Sequence, residues 1–304
     1  MNFQVSSETL KAQKQKITAI NQLNSSIKRN GYVVTQVLLT EECEEYIKML
    51  KKWLKKLDSR IDLSNPTQEY FPDNIHGIIK AYGIGHTTFM NKIRQNNKIK
   101  NIFAILNKCQ PSDLIHTYDG ACYYPWQLSN MTSSFKLWPH RDQNPTNNNH
   151  MTYQSLVNLQ RNDLNGDGGL VVWPKSHKLK FDNELCNTDF FKIPYPTAEI
   201  SNDKAVRLIV PQGAMVIWDS RLIHCNVIPL HPSTHNRVVL YVCMVDKTRV
   251  SSSFKKLLKL CKKQKMSTSH NPMNFTINEE QVKYTNSKIL PTNCHVFCPK
   301  LSHQ

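Results

Sequence analysis

The chain has no apolar run long enough to cross a bilayer. Its longest stretches, such as 169–173 and 238–242, are a fraction of the roughly 20 residues that a spanning helix needs. Residues 1–20 carry Lys11, Lys14 and Lys16 without an apolar h-region, so no secretory leader is expected. No internal repeat, low-complexity tract or linker breaks the sequence, which argues against solenoids and tethered domains. Acidic residues are scarce: 23 Asp and Glu stand against 39 Lys and Arg, a formal net charge of +16. Such an excess suits nucleic acid, an acidic substrate or an anionic surface. Here it is dispersed, and the abundance of Asn, Lys and Ile points to an A/T-rich gene as its source. In the two denser runs, 48–56 and 255–265, apolar residues recur at three- and four-residue steps. Each run therefore reads as the wet face of a packed helix. The nine cysteines are scattered and odd in number, which points to free thiols in a reducing, intracellular compartment, with the cytoplasm the first choice.

What is present is enough for one substantial core. At 39% hydrophobic and 9% aromatic, 304 residues fit a single large β domain with helical additions. Residues 1–113 read as mainly helical, 114–248 as a β core, and 249–304 as a C-terminal extension. The first part offers helices over 8–29, 41–57, 88–95 and 99–108, with a strand over 32–39. Thr40 is the expected N-cap of the second helix, whose early glutamates and later lysines suit the helix dipole. From Leu114 the pattern changes to short β runs broken by Gly, Pro and Asn, expected over 132–139, 152–160, 169–173, 206–210, 214–218 and 237–246. That is the pattern of an eight-stranded double-sheet jelly roll, a mostly β (α+β) fold with a cupin-like double-stranded β-helix core. The 176–205 connection, with Phe181, Phe190, Phe191 and Tyr195, is too long for a turn and reads either as a lid or as a packed insertion.

His140-Arg141-Asp142 is the motif that carries chemistry. On a strand, side chains alternate, so His140 and Asp142 face the same way. With the distant His224 they make two imidazoles and one carboxylate, the protein half of a facial triad that holds Fe(II) and leaves three positions open. Arg237 supplies a guanidinium able to pair bidentately with a carboxylate of a metal-bound cosubstrate. Alone, an H-x-D step matches by chance as readily as by function. Its surroundings are more specific. Gly168-Gly169-Leu170-Val171-Val172-Trp173-Pro174-Lys175-Ser176-His177 follows it. Gly213 to Ser220 runs into Arg221-Leu222-Ile223-His224, and Asn236-Arg237 opens another apolar strand.

This order and spacing resemble the phytanoyl-CoA dioxygenase-like branch of the Fe(II)/2-oxoglutarate oxygenases. The segments His76 to His86, Phe89 to Arg94 and Thr268-Ser269-His270 resemble a poorly characterised subgroup of it, so the likeness runs over about residues 30–300. The resemblance implies that Fe(II), 2-oxoglutarate and O2 are the cofactor and cosubstrates, that succinate and CO2 are released, and that Arg237 anchors 2-oxoglutarate. Related halogenases lack the carboxylate, so Asp142 implies hydroxylation or demethylation. Asn158 and Asn226 match positions near the cosubstrate. Gln154 alternates with Asn158 on one strand, and both are expected inside the barrel. A structural amide is the rival reading for Asn158.

Further residues are read more than one way. His86, Arg94 and Tyr124 are placed either at a substrate mouth or in ordinary packing, and His177 is read as structural. Cys294-His295-x-x-Cys298 lacks a fourth ligand and makes a poor zinc site. The first choice of partner is a small organic substrate. A nucleic-acid or protein oxygenase ranks second, and an inactive scaffold of the same fold third.

Overall fold

The computed structural model describes residues 4–6, 10–67, 69–72, 76–129, 134–143, 151–180, 191–193, 196–273, 275 and 277. Phe181, Phe190, Tyr195 and the Cys294–Cys298 group lie outside these residues. Two six-stranded sheets dominate. The first runs Tyr32–Gln36, Ala214–Asp219, Tyr153–Asn158, Arg237–Tyr241, Ala121–Tyr124, Ile78–Ile79, every pair antiparallel. The second runs Phe191–Lys192, His140–Arg141, His224–Val227, Gly169–Val172, Val206–Ile209, Ala12–Lys14, with only the last pair parallel. Together they form the jelly roll expected, a double-stranded β-helix with helical additions.

Period-two alternation decides what each face of the first sheet meets. Val34, Val216, Trp218, Leu156, Val239 and Cys122 point toward the second sheet and pack with Val171, Trp173, Leu208 and Ile223. Their alternates Val33, Met215, Ile217, Val157, Val238 and Leu240 point outward onto the helices. Those are Leu23–Asn30, Thr40–Leu57, Thr88–Gln95 and Asn97–Asn107. A sheet buried on both faces explains why its strands read as nearly continuous apolar runs.

Several boundaries differ from expectation. Residues 8–29 are not one helix: Ala12–Lys14 is a strand, and the helix begins at Leu23. Arg207 N donates to Lys11 O at 2.9 Å and Gln15 N to Ile209 O at 3.0 Å, so the segment closes a sheet edge. Satisfying an open ladder outweighs a weak apolar stripe, and Ile17 and Ile20 stay 47% and 51% exposed. Thr40 is the first helical residue, not the cap; Glu42 Oε2 accepts from Leu39 N at 2.8 Å instead. The 237–246 run is two strands, Arg237–Tyr241 and Met244–Asp246, in different sheets. The lysine runs are the wet faces of Thr40–Leu57 and Ser252–Gln264, whose buried sides hold Tyr46, Leu50, Leu54, Leu258 and Cys261.

Candidate metal centre

His140 and His224 are direct partners across adjacent antiparallel strands, and Asp142 follows at the end of the first. One ligand atom from each lies within 4.8 Å of the others, and all three side chains are buried. Asp142 Oδ2 is 3.1 Å from His224 Nε2, and Oδ1 is 3.6 Å from His140 Nε2. The other ring nitrogens face outward. His140 Nδ1 lies 3.1 Å from the Trp138 carbonyl and His224 Nδ1 2.9 Å from that of Leu222. A carbonyl only accepts, so each Nδ1 carries the proton and each Nε2 presents a lone pair. Burial, reinforced by His224 alongside, pushes the His140 pKa down to about 3, so the ring is neutral. Two lone pairs and a carboxylate thus converge among buried side chains. Without a cation they repel; with one they form the donor set of a facial triad, so the residues fit a divalent iron.

The surrounding framework fixes the triad. Ser176 Oγ accepts from Ile223 N at 2.8 Å, and the Ser176 carbonyl accepts from Arg141 Nη2 at 2.5 Å. This Ser-His step therefore ties the two ligand-bearing strands together. His177 turns away to the Lys28 carbonyl at 3.3 Å, a structural role as expected. Gln143 Oε1 accepts from Ser220 Oγ at 2.6 Å and anchors the chain just after Asp142. Trp138 stacks on His140 with ring centroids 4.4 Å apart, and His76 stacks on Trp138 at 4.2 Å. His76 opens one of the outlying segments quoted above, whereas Trp138 carries no motif of its own; its place two residues before the first ligand is the available signal.

The inner face of the first sheet also carries buried polar atoms without hydrogen-bond partners. They include Arg237 Nε and Nη1, both amide atoms of Gln154, and Trp218 Nε1. Arg237 is 4% exposed and Gln154 is fully buried. Leaving such groups unpaired is costly, the more so for a charge, so the site is shaped for a polar ligand. Arg237 and Asn158 line one narrow pocket with Asn162, Gly168, Gly169 and Asn236. Gly168 is required there, because a Cβ would lie 2.9 Å from the Val227 carbonyl and 3.0 Å from Arg237 Cδ. Arg237, which engages Tyr241 and Cys122 but keeps Nε and Nη1 without a partner, fits the carboxylate of a dicarboxylic cosubstrate.

The other expected residues fall in different places. Asn158 Nδ2 donates to Val210 O at 2.8 Å, and Asn226 Nδ2 donates to His76 O at 2.9 Å. Tyr124 is buried on the barrel's inner face, directly across from Arg237. Arg221, an alternative anchor for a carboxylate, is held by Asp219 at 2.7 Å. His86 and Arg94 sit in packing: His86 stacks on Tyr118 at 4.2 Å, and Arg94 is buried and donates to Gly85 O and Asn91 Oδ1. His270 reaches the centre from the C-terminal side, its Nε2 3.0 Å from Asp142 Oδ1. All six cysteines described are free thiols. Among the described residues, no helix is long and apolar enough to cross a membrane.

With fold and site in hand, comparison with known proteins is informative about the architecture. No family model matches the sequence, and no curated relative does. Solved structures match by shape. The epimerase SnoN, in complex with Fe3+, alpha ketoglutarate and nogalamycin RO, aligns with a TM-score of 0.51 at 15% identity, over 75% of this chain and 83% of its own. AviO1 from Streptomyces viridochromogenes Tue57 aligns with a TM-score of 0.52 at 15% identity, over 76% and 97%. ThoJ, a non-heme monooxygenase, aligns at 0.51 and 14% identity, over 74% and 77%. At these identities the likeness establishes the fold alone.

Proposed function

We propose that this chain is a single-domain, intracellular Fe(II)- and 2-oxoglutarate-dependent dioxygenase of the phytanoyl-CoA dioxygenase-like branch, and that it hydroxylates a small organic substrate. The observation that carries this reading is the pairing of three convergent ligand atoms with a buried guanidinium whose Nε and Nη1 have no partner. A fold neighbour seen with iron and alpha ketoglutarate supports the same pair here. Bound Fe(II), with 2-oxoglutarate and O2, supplies the oxidising power for attack on an unactivated C–H bond, and 2-oxoglutarate leaves as succinate and CO2.

The protein's share is positioning and exclusion of water. His140, Asp142 and His224 would hold the metal, their orientation fixed by the Trp138 and Leu222 carbonyls and by Ser176. Arg237 would neutralise the distal carboxylate of 2-oxoglutarate, with Asn158, Asn226 and Gln154 as the amides nearest the cosubstrate. Tyr124, on the same wall, would face the substrate side, whereas His86 and Arg94 act through packing. A small molecule is favoured over nucleic acid, because the two dense lysine runs belong to packed helices. Anaerobic loading with Fe(II) and 2-oxoglutarate, then oxygen and a metabolite pool, tests the reading. Substrate-dependent succinate with an oxygenated product is expected. Folded, iron-loaded protein that consumes no 2-oxoglutarate with any substrate class contradicts it.

A further inference from the structure

The two outlying segments, 76–94 and 268–270, meet in the fold, and their meeting place leads to the metal centre. After the Ser252–Gln264 helix the chain docks as an extended strap. His86 Nε2 donates to the Met266 carbonyl at 2.8 Å, and Ser267 Oγ accepts from Gly85 N at 3.1 Å. Thr268 pairs with Tyr118 in both directions: its N–H donates to the Tyr118 carbonyl and its Oγ1 accepts from Tyr118 N, each at 3.0 Å. Ser267 and Thr268 are completely buried.

The wall beneath the strap is closely packed. A Cβ on Gly85 would come within 2.1 Å of the Tyr118 carbonyl oxygen, so only glycine lets the two backbones approach. Arg94 holds the Gly85 carbonyl from below and lies over the Tyr118 ring, 5.6 Å from its centroid. Two residues past the Thr268 clamp stands His270, whose Nε2 lies 3.0 Å from Asp142 Oδ1 while its side chain keeps 38% exposure.

We propose that His270 is a positioning residue of the metal centre, holding Asp142 Oδ1 so that Oδ2 is the oxygen turned to the metal, and that the 76–94 wall serves to seat it. This rests on the proposed iron site. Carboxylate ligands depend on such outer hydrogen bonds, and losing one typically costs about 10- to 100-fold in metal affinity. An imidazole N–H suits the task because it donates along one fixed direction from a ring whose backbone is clamped at Thr268.

The test is metal binding by the full chain, read without turnover. Anaerobic Fe(II) affinity and the visible ligand-field spectrum with Co(II) as probe are compared for wild type, His270→Ala, His270→Gln and His86→Ala, with folding followed by circular dichroism. We expect His270→Ala to lose roughly 10- to 100-fold in affinity and to alter the Co(II) spectrum. His270→Gln, which keeps an N–H donor but is a poor metal ligand, should recover most of both. His86→Ala, acting through the Met266 carbonyl, should change them in the same direction by less. An unchanged affinity and spectrum in folded His270→Ala overturns the proposal. So does failure of glutamine to rescue, which makes His270 a direct ligand. If wild type itself binds neither metal, the iron reading has failed; if it binds and only the His270 variants are silent, that reading stands and this one falls.

Discussion

Among the described residues, two clusters bring carboxylates and imidazoles within ligand reach of one another, His140–Asp142–His224 and Asp163–Asp167–His235. By residue type they are nearly equivalent. In the second, every carboxylate oxygen is already engaged. Arg161 takes both oxygens of Asp163 at 2.8 and 2.9 Å. Asp167 Oδ1 accepts from Ser233 Oγ at 2.6 Å, and Oδ2 accepts from Leu164 N and His235 Nδ1 at 2.9 and 3.0 Å. The cluster is the clasp of a loop. In the first, both Nδ1 protons point outward to carbonyls and His270 engages only Asp142 Oδ1, so the two Nε2 atoms and Oδ2 face one another. A metal site is recognised by the acceptors its framework leaves unspent, not by the residues it contains.

The sharpest way to break that contrast is to delete a ligand from each cluster. His140→Ala should abolish Fe(II) retention and 2-oxoglutarate turnover with the fold retained, whereas His235→Ala should leave iron binding at the wild-type level. Iron analysis of the purified proteins decides it, and equal iron in His140→Ala would end the assignment. Asp142→Gly should lose hydroxylation while keeping weak iron binding, because an exogenous anion can enter the vacated position; iron content and product analysis read the two effects separately.

Arg237→Ala comes next in size. It leaves the triad formed but an incoming carboxylate unpaired, at a cost on the order of 3–5 kcal/mol, at least a hundredfold in 2-oxoglutarate affinity. Arg237→Lys keeps charge without the fork and should fall between. Anaerobic charge-transfer titrations measure both; an unaltered affinity in Arg237→Ala would mean that another cation anchors the cosubstrate.

Asp167→Ala should be smaller and of a different kind. It strands the Ser233 hydroxyl and the Leu164 amide, so a loss of about 1–3 kcal/mol in stability is expected with iron affinity untouched. Chemical denaturation checks the first part and metal titration the second. Gly85→Ala, which forces the Tyr118 carbonyl aside, should cost a similar 1–3 kcal/mol by the same denaturation assay.

The parts of this molecule legible in its sequence are those set by short-range rules. Short apolar runs at 214–218 and 237–241 mark the buried strands, and the H-x-D step put His140 and Asp142 on one side because a strand repeats every two residues. The helices at Thr88–Gln95 and Thr40–Leu57 follow from their apolar spacing. The misses arise where tertiary contacts override local preference. Ala12–Lys14 is a strand only because Val206–Ile209 offers it an edge. Ile78–Ile79 and Ala121–Tyr124 are too short to show a period, yet they wall the barrel. His270 lies 128 residues beyond Asp142, and only the clamp at Tyr118 and Gly85 brings the two together.

The most direct test of the iron reading is an anaerobic titration of the intact chain, first with Fe(II) and then with 2-oxoglutarate, followed by visible absorbance. The account predicts a single bound Fe(II) and a saturable charge-transfer band that appears only when both are present. The band should vanish in His140→Ala and survive in His235→Ala. A folded wild-type protein that shows no band, or a band that persists in His140→Ala, would contradict it.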